Sequence, residues 1–243
     1  MGRRILPKLD PSVDYSTHLS DLDELAKELC APGLSPTFRN DQLVEPYAPR
    51  RIGDNRPLFV RAQPLELEIG CGKGLFLCNQ SAAFPHHNFL GVEIAHKYAR
   101  FSAYRLAKLG RSNAHLIRGD GLALLRDWLP DCCLVAIHVY FPDPWWKARH
   151  RKRRVVSQPL GEQALRTLQP GGWLIFWTDV EEYFDEGCAS IRNSGAWREC
   201  DTQPPLSALA SPDHRLDSEG RTHFDRRMIR HEHEVFRRWF QKP

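Results

Sequence analysis

The sequence predicts an α/β fold, an open and mostly parallel sheet with helices on both faces. Three observations predict it. From Leu65 onward, short strand-like runs alternate with helical patterns of about 10–15 residues, the signature of right-handed βαβ units. The run Leu134-Val135-Ala136-Ile137 has no polar alternation, as a central strand covered on both faces requires. The first strand also runs into a glycine-rich turn that opens a helix.

The elements follow in order. Leu65–Ile69 reads as a strand, with a helix from about Gly74. Then come strand Asn88–Ile94, helix His96–Leu109, strand Ala114–Arg118 and helix Gly121–Trp128. Strand Cys133–Phe141, helix Val155–Leu168, strand Trp173–Thr178 and helix Glu181–Arg192 complete the alternation, with Pro170-Gly171-Gly172 as a helix stop. Pro204–Gly220 reads as a loop. The segment Phe224–Phe240 fits two patterns: Ile229, His231, His233 and Val235 alternate as in a strand, while Ile229, Phe236 and Phe240 could line a helix. Residues 1–62 are rich in Pro and Arg and read as a basic, partly mobile arm. Its one short helix carries Leu22, Leu25, Ala26 and Leu29.

Composition bounds the function. The 243 residues carry 34 Lys and Arg against 30 Asp and Glu, a formal net charge of +4. That suits one domain with an extension, and the sum is too small to indicate a nucleic-acid partner, so clustering must decide. The longest nearly apolar run, Cys132–Phe141, is too short to cross a bilayer. The basic start is followed by no apolar region, so neither a secretory signal nor a membrane partner is expected. The seven cysteines show no C-x-x-C spacing, which favours reduced thiols in the cytoplasm. His86-His87 and His231-x-His233 lack acid or Cys ligands at metal spacing, so no metal is expected.

Glu68-Ile69-Gly70-Cys71-Gly72-Lys73-Gly74 leaves the first strand. A dinucleotide fingerprint would place glycine at position 75, where Leu75 stands. Instead an acid precedes the first glycine by two residues. A carboxylate there repels pyrophosphate and attracts a cation, and S-adenosylmethionine, with its ammonium and sulfonium, is such a ligand. Glu93 ends the second strand, placed to accept ribose hydroxyls, and Asp120 ends the third, placed to accept from an adenine amino group. A solvated turn with ordinary strand-end acids would explain one of these, and three in succession favour the cofactor.

After the fourth strand comes Phe141-Pro142-Asp143-Pro144-Trp145-Trp146-Lys147. Two prolines fix the backbone around Asp143, which suits a carboxylate that must be aimed. One of the tryptophans is placed to stack on a base, the other to cap the core. The stretch Lys147–Arg154 then holds six Lys or Arg in eight residues. Such a run is commonly a solvated face, but beside a cofactor site it fits a nucleic-acid substrate held by its phosphates.

E-I-G-x-G-x-G, N-F-L-G-V-E-I, G-D-G, F-P-D-P-W-W-K-A-R-H-R-K-R-R, W-T-D and T-H-F-D, in this order, resemble the bacterial tRNA (guanine-N7-)-methyltransferases over about residues 64–240. The resemblance implies a Rossmann-like class I methyltransferase fold, a mainly parallel seven-stranded sheet in residues 63–243. It implies methyl transfer to guanosine 46 of the tRNA variable loop. Glu68, Gly70, Gly72, Gly74, Glu93, Asp120 and Asp143 would hold S-adenosylmethionine, with Asp143 the catalytic residue. Lys147, Asp179, Thr222, His223, Phe224 and Asp225 would meet the substrate, and Arg149, His150, Arg151, Lys152, Arg153 and Arg154 the RNA. The family's T-[K/R]-F-E stands here as Thr222-His223-Phe224-Asp225, and Trp146 replaces a smaller or polar residue.

Rival readings are another RNA- or amine-directed N-methyltransferase, because Pro142-Asp143-Pro144-Trp145 also resembles the Asp/Asn-Pro-Pro-aromatic loop, and an RNA-binding relative without transfer. A nicotinamide-dependent dehydrogenase ranks last because of Leu75 and Glu68. The sequence leaves the oligomeric state open, monomer or homodimer.

Overall fold

The computed structural model describes residues 6–23, 59, 63–200 and 234–243. Within them the alternation closes into one sheet. In chain order it comprises β1 (Leu19–Asp21), β2 (Leu65–Ile69), α1 (Leu75–Ala83), β3 (Asn88–Glu93), α2 (His96–Lys108), β4 (Ala114–Arg118) and α3 (Gly121–Trp128). There follow β5 (Leu134–Tyr140), α4 (Gln158–Thr167), β6 (Leu168–Thr178), α5 (Glu181–Arg192), β7 (Arg198–Cys200) and β8 (Phe236–Gln241).

The strand order is β1-β4-β3-β2-β5-β6-β8-β7. Pairings from β1 through β6 are parallel, and β8 lies antiparallel between β6 and β7. The sheet therefore has eight strands among the described residues, not the seven expected. The eighth is β1, which pairs along β4 through Leu19 and Leu116. Arg118 holds it by binding Asp21, and Asp23 at 3.1 Å. Leu22, just after β1, and Phe59 are buried in the same hydrophobic core. Part of the basic arm is thus built into the sheet edge. The short helix read through Leu25, Ala26 and Leu29 lies outside the described residues, as do the Pro204–Gly220 loop, His231 and His233.

Alternation in β2 sets the layers. Leu65, Leu67 and Ile69 join Leu124, Leu160, Tyr183 and Ile191 in a core under α3, α4 and α5. A second core under α1 and α2 holds Phe76, Leu77, Ala99, Ala103 and Leu106, with Tyr140 and Trp177 from the sheet. At fully buried Leu67, truncation to Ala should cost about 2–5 kcal/mol.

Two expected boundaries move. The helix before β6 starts at Gln158 rather than Val155, with Pro159 in its first turn where a missing N–H costs nothing. Pro170-Gly171-Gly172 does not stop that helix, which ends at Thr167. Leu168 pairs with Leu134 and Trp173 with Ala136, so the Pro-Gly-Gly stretch bulges out of the ladder. Lys242 closes the bulge by exchanging backbone bonds of 2.9 Å with Gly171 and Gly172. Of the ambiguous C-terminal segment, residues 224–233 lie outside the described residues, and Phe236–Gln241 forms a strand.

Candidate active site

Because β4, β3, β2, β5 and β6 run parallel and adjacent, their C-terminal ends share one edge of the sheet. The chain leaves β2 to build β3 and β4 on one side and resumes with β5 on the other, so the crevice lies beyond β2 and β5. The glycine turn, Asp120, Asp143 and Asp179 follow these strands, and Glu93 ends β3.

The turn between β2 and α1 takes left-handed conformations at Gly70 (φ 77°), Gly72 (φ 53°) and Gly74 (φ 65°). At Gly74 a Cβ would also lie 2.8 Å from Ser102 Oγ, so glycine is required twice over. Ser102 Oγ donates to the Gly72 carbonyl at 2.8 Å and Arg105 Nη1 to that of Lys73 at 2.7 Å, which clamps the turn to α2. Glu93 completes the clamp: Oε2 accepts the Gly72 N–H at 2.9 Å and Oε1 the Ala95 N–H at 2.8 Å. Its expected place at the ligand is therefore combined with a backbone role. Burial raises its pKa, its backbone bonds oppose this, and the Asp143 charge adds to the rise.

Glu68 is 3% exposed, and its Oε2 has no hydrogen-bond partner. Burial, joined by the Glu93 charge, pushes its pKa up to about 8. Such a carboxylate is costly unless a cation or donor meets it. Glu68, Glu93 and Asp143 thus form one electrostatic group. Asp120 is exposed, and its Oδ1 accepts the Ala123 N–H at 2.9 Å as the N-cap of α3. Asp179 is exposed after β6, apart from the buried Glu68 and Glu93.

The Asp143 loop is held in an unusual shape. Phe141 (φ 49°) and Trp145 (φ 46°) adopt the left-handed region on either side of Pro142-Asp143-Pro144. Bulky residues persist there only where their surroundings over-determine them, as happens at functional sites. Asp143 itself is exposed. Trp146 (62%) and Ile94 (69%), which directly follows Glu93, are large apolar side chains left in solvent beside the acids. Ile94 was missed in the sequence, where its position next to a strand-end acid was the only signal.

The basic run forms a 3₁₀ turn over Ala148–Arg153. Lys147, Arg149, Lys152 and Arg153 are exposed, and Arg153 lies over the Trp145 ring, 5.1 Å from its centre. His150 packs edge-on against Trp145 at 5.8 Å. Arg151 binds Glu182 at 2.5 Å and Glu186 at 2.8 Å. Arg154 departs from the expected RNA contact. Its side chain is 5% exposed and points inward, donating to the Pro144 carbonyl at 2.7 Å and to Glu186. Spacing along a charged run does not reveal which cations find acidic partners on a distant helix. Thr222, His223, Phe224 and Asp225 lie outside the described residues.

A buried polar network under the sheet also escaped the sequence. Glu66 meets His87 Nδ1 at 2.8 Å and His138 Nε2 at 2.7 Å, and His138 Nδ1 meets the Tyr140 hydroxyl at 2.9 Å. Among the described residues no group of three or more His, Cys, Asp or Glu could hold a metal ion. No described helix is long and apolar enough to cross a membrane. The described cysteines are free, and burial pushes the Cys133 and Cys188 thiols up to about 12, which keeps them neutral.

The parallel sheet with its acid-flanked glycine turn defines the class: an α/β protein of the methyltransferase fold. The aminoglycoside resistance methyltransferase NpmB1 shares that fold with a TM-score of 0.52 and 16% identity, over 74% of this chain and 87% of its own. The family described as "Putative methyltransferase" matches residues 62–238. A tRNA (guanine-N(7)-)-methyltransferase of Sodalis glossinidius is 33% identical over 86% of this chain and 82% of that protein. One from Rhodopirellula baltica is 49% identical over 137 residues, 54% of this chain and 51% of that protein, so the chain spans about half the length of the first curated relatives it matches. The chain belongs to the tRNA (guanine-N(7)-)-methyltransferase family.

Proposed function

We propose that the protein transfers the methyl group of S-adenosylmethionine to N7 of a guanosine in tRNA, at position 46 of the variable loop. One observation carries this reading. An acidic group, with a buried and unpartnered oxygen at Glu68, and an exposed basic turn lie at one sheet edge, joined by the Asp143 loop. The names borne by the relatives agree with it. A tRNA substrate and reduced thiols would place the activity in the cytoplasm.

The residues present fit the cofactor. Glu68 Oε2, buried without a partner, calls for a cation or donor, which an ammonium satisfies. Each Glu93 oxygen keeps a lone pair for a ribose hydroxyl beyond its backbone bond. Asp120 keeps acceptor capacity for an adenine amino group, and Gly70, Gly72 and Gly74 let the backbone approach closely. When bound, the cofactor supplies an electrophilic methyl group.

The remaining chemistry belongs to the chain. Guanine N7 has a lone pair and no proton, so no general base is needed. The ring gains positive charge as the bond forms, and the Asp143 and Asp179 carboxylates stabilise it. Lys147, Arg149, Lys152 and Arg153 hold phosphates and so orient the base, while Trp146 offers it an apolar face. Alignment of N7 supplies much of the acceleration. Thr222, His223, Phe224 and Asp225 are assigned to the substrate by their motif alone.

The test is transfer of labelled methyl groups from S-adenosylmethionine into unmodified tRNA, with calorimetric titration of the cofactor alongside. Stoichiometric cofactor binding with label in tRNA is expected. Binding without transfer to any RNA would favour an RNA-binding relative, and failure to bind the cofactor would refute the reading.

A further inference from the structure

We propose that Arg154 is a positioning residue that aims the Asp143 loop, rather than a contact to RNA; the proposal rests on the reading above. The Arg154 Nε donates to the Pro144 carbonyl at 2.7 Å. That carbonyl belongs to the peptide unit shared with Trp145, whose φ of 46° is one of the two left-handed values bracketing Asp143. Fixing this peptide plane opposes relaxation of Trp145 to an ordinary conformation, which would swing Asp143 with it.

The anchor behind Arg154 is rigid. Its guanidinium lies 4.7 Å from the Tyr183 ring centre, and Nη1 donates to Glu186 on the same helix, α5. Tyr183 is itself buried, and its hydroxyl accepts the Val156 amide at 3.1 Å. Arg154 thus ties the strained loop after β5 to a helix packed in the core. Only a planar fork can donate to a carbonyl and a carboxylate while lying on a ring.

Stability alone does not account for this arginine. Glu186 is 44% exposed and shared with Arg151, and Arg154 Nη2 is buried without a hydrogen-bond partner. A buried charge so incompletely matched is commonly no better for stability than an apolar side chain of similar size. Its neighbours Arg149, Lys152 and Arg153 are exposed and free to take phosphates, a task Arg154 cannot perform while buried.

The experiment compares full-length wild type with Arg154→Met and Arg154→Lys, each with S-adenosylmethionine and unmodified tRNA. Active protein is counted by cofactor-binding stoichiometry. In Arg154→Met the single-turnover rate at saturating tRNA is expected to fall roughly 10–100-fold per competent site. The tRNA dissociation constant and its salt slope should stay within about twofold, as should cofactor affinity. Arg154→Lys, which keeps one of the two bonds, should recover part of the rate. Weakened tRNA binding with a shallower salt slope and an unchanged saturated rate would overturn the proposal, because it identifies a phosphate ligand. Amide exchange at Trp145 and Trp146 reads the loop without any turnover, and should quicken about tenfold in Arg154→Met. Unchanged exchange overturns the positioning role. A wild type inactive on tRNA overturns only the functional reading.

Discussion

The Glu93 carboxylate holds the Gly72 amide, with Oε2 accepting its N–H at 2.9 Å, so the acid proposed to meet the cofactor also shapes the glycine turn. In Glu93→Gln one acceptor oxygen becomes a donor and faces either the Gly72 or the Ala95 N–H. An unsatisfied donor and the lost charge-assisted bond cost about 1–3 kcal/mol, so S-adenosylmethionine affinity should fall roughly 10–100-fold by calorimetry. The melting temperature should fall too, because the turn loosens even without ligand.

Glu68 behaves in the opposite way. Its folded value of about 8 lies above the ordinary 4.5, so its contribution to stability is complete below 4.5 and is lost as pH rises through about 8. The melting temperature of the ligand-free protein should therefore carry a fall between about pH 4.5 and pH 8 that levels off above pH 8, and Glu68→Gln should remove that part of the fall. An ammonium meeting Glu68 favours its ionised form, so cofactor binding near pH 7 should release up to about one proton. Calorimetry in buffers of different ionisation enthalpy counts it, and Glu68→Gln should abolish the release.

Glu66 carries the reverse sign. Burial opposes its ionisation, but the His138 and His87 hydrogen bonds prevail and lower its pKa to about 2. Its stabilising contribution is present above 4.5 and lost as pH falls through about 2. Glu66→Gln should melt lower than wild type at pH 6, with the gap closing steadily below pH 4.5.

Asp143→Asn removes negative potential from the proposed reacting centre and leaves the basic turn intact. The single-turnover rate should fall on the order of 10–100-fold while tRNA affinity holds. An unchanged rate would remove Asp143 from the chemistry.

The central sheet was legible because its strands carry unmistakable runs, and Leu65–Ile69 and Ala114–Arg118 match to the residue. The acids were legible because parallel strands bring their C-terminal ends together whatever the loops do. What escaped depends on partners distant in sequence. Leu19–Asp21 is too short to show a period and becomes a strand only beside β4. Arg151 and Arg154 read as free cations until α5 brings Glu182 and Glu186 against them. By sequence His87 belongs to a pair to be weighed only as metal ligands, and His138 is one residue of the nearly apolar run Cys132–Phe141. Only the pairing of β2 with β5 on one side and with β3 on the other brings His138 and His87 to Glu66. Pro170-Gly171-Gly172 signals a break in regular structure, but not whether that break ends a helix or bulges a strand.

The central claim, an acid-lined cofactor mouth that delivers a methyl group to guanine N7, is tested most directly by the chemistry of the product. Unmodified tRNA is incubated with labelled S-adenosylmethionine and the protein, then treated with borohydride and aniline, which cleave the chain at N7-methylguanosine. Cleavage at a single guanosine, position 46 of the variable loop, is the predicted result. Labelled tRNA that resists cleavage would place the methyl group on another atom, such as an exocyclic amine, and contradict the account.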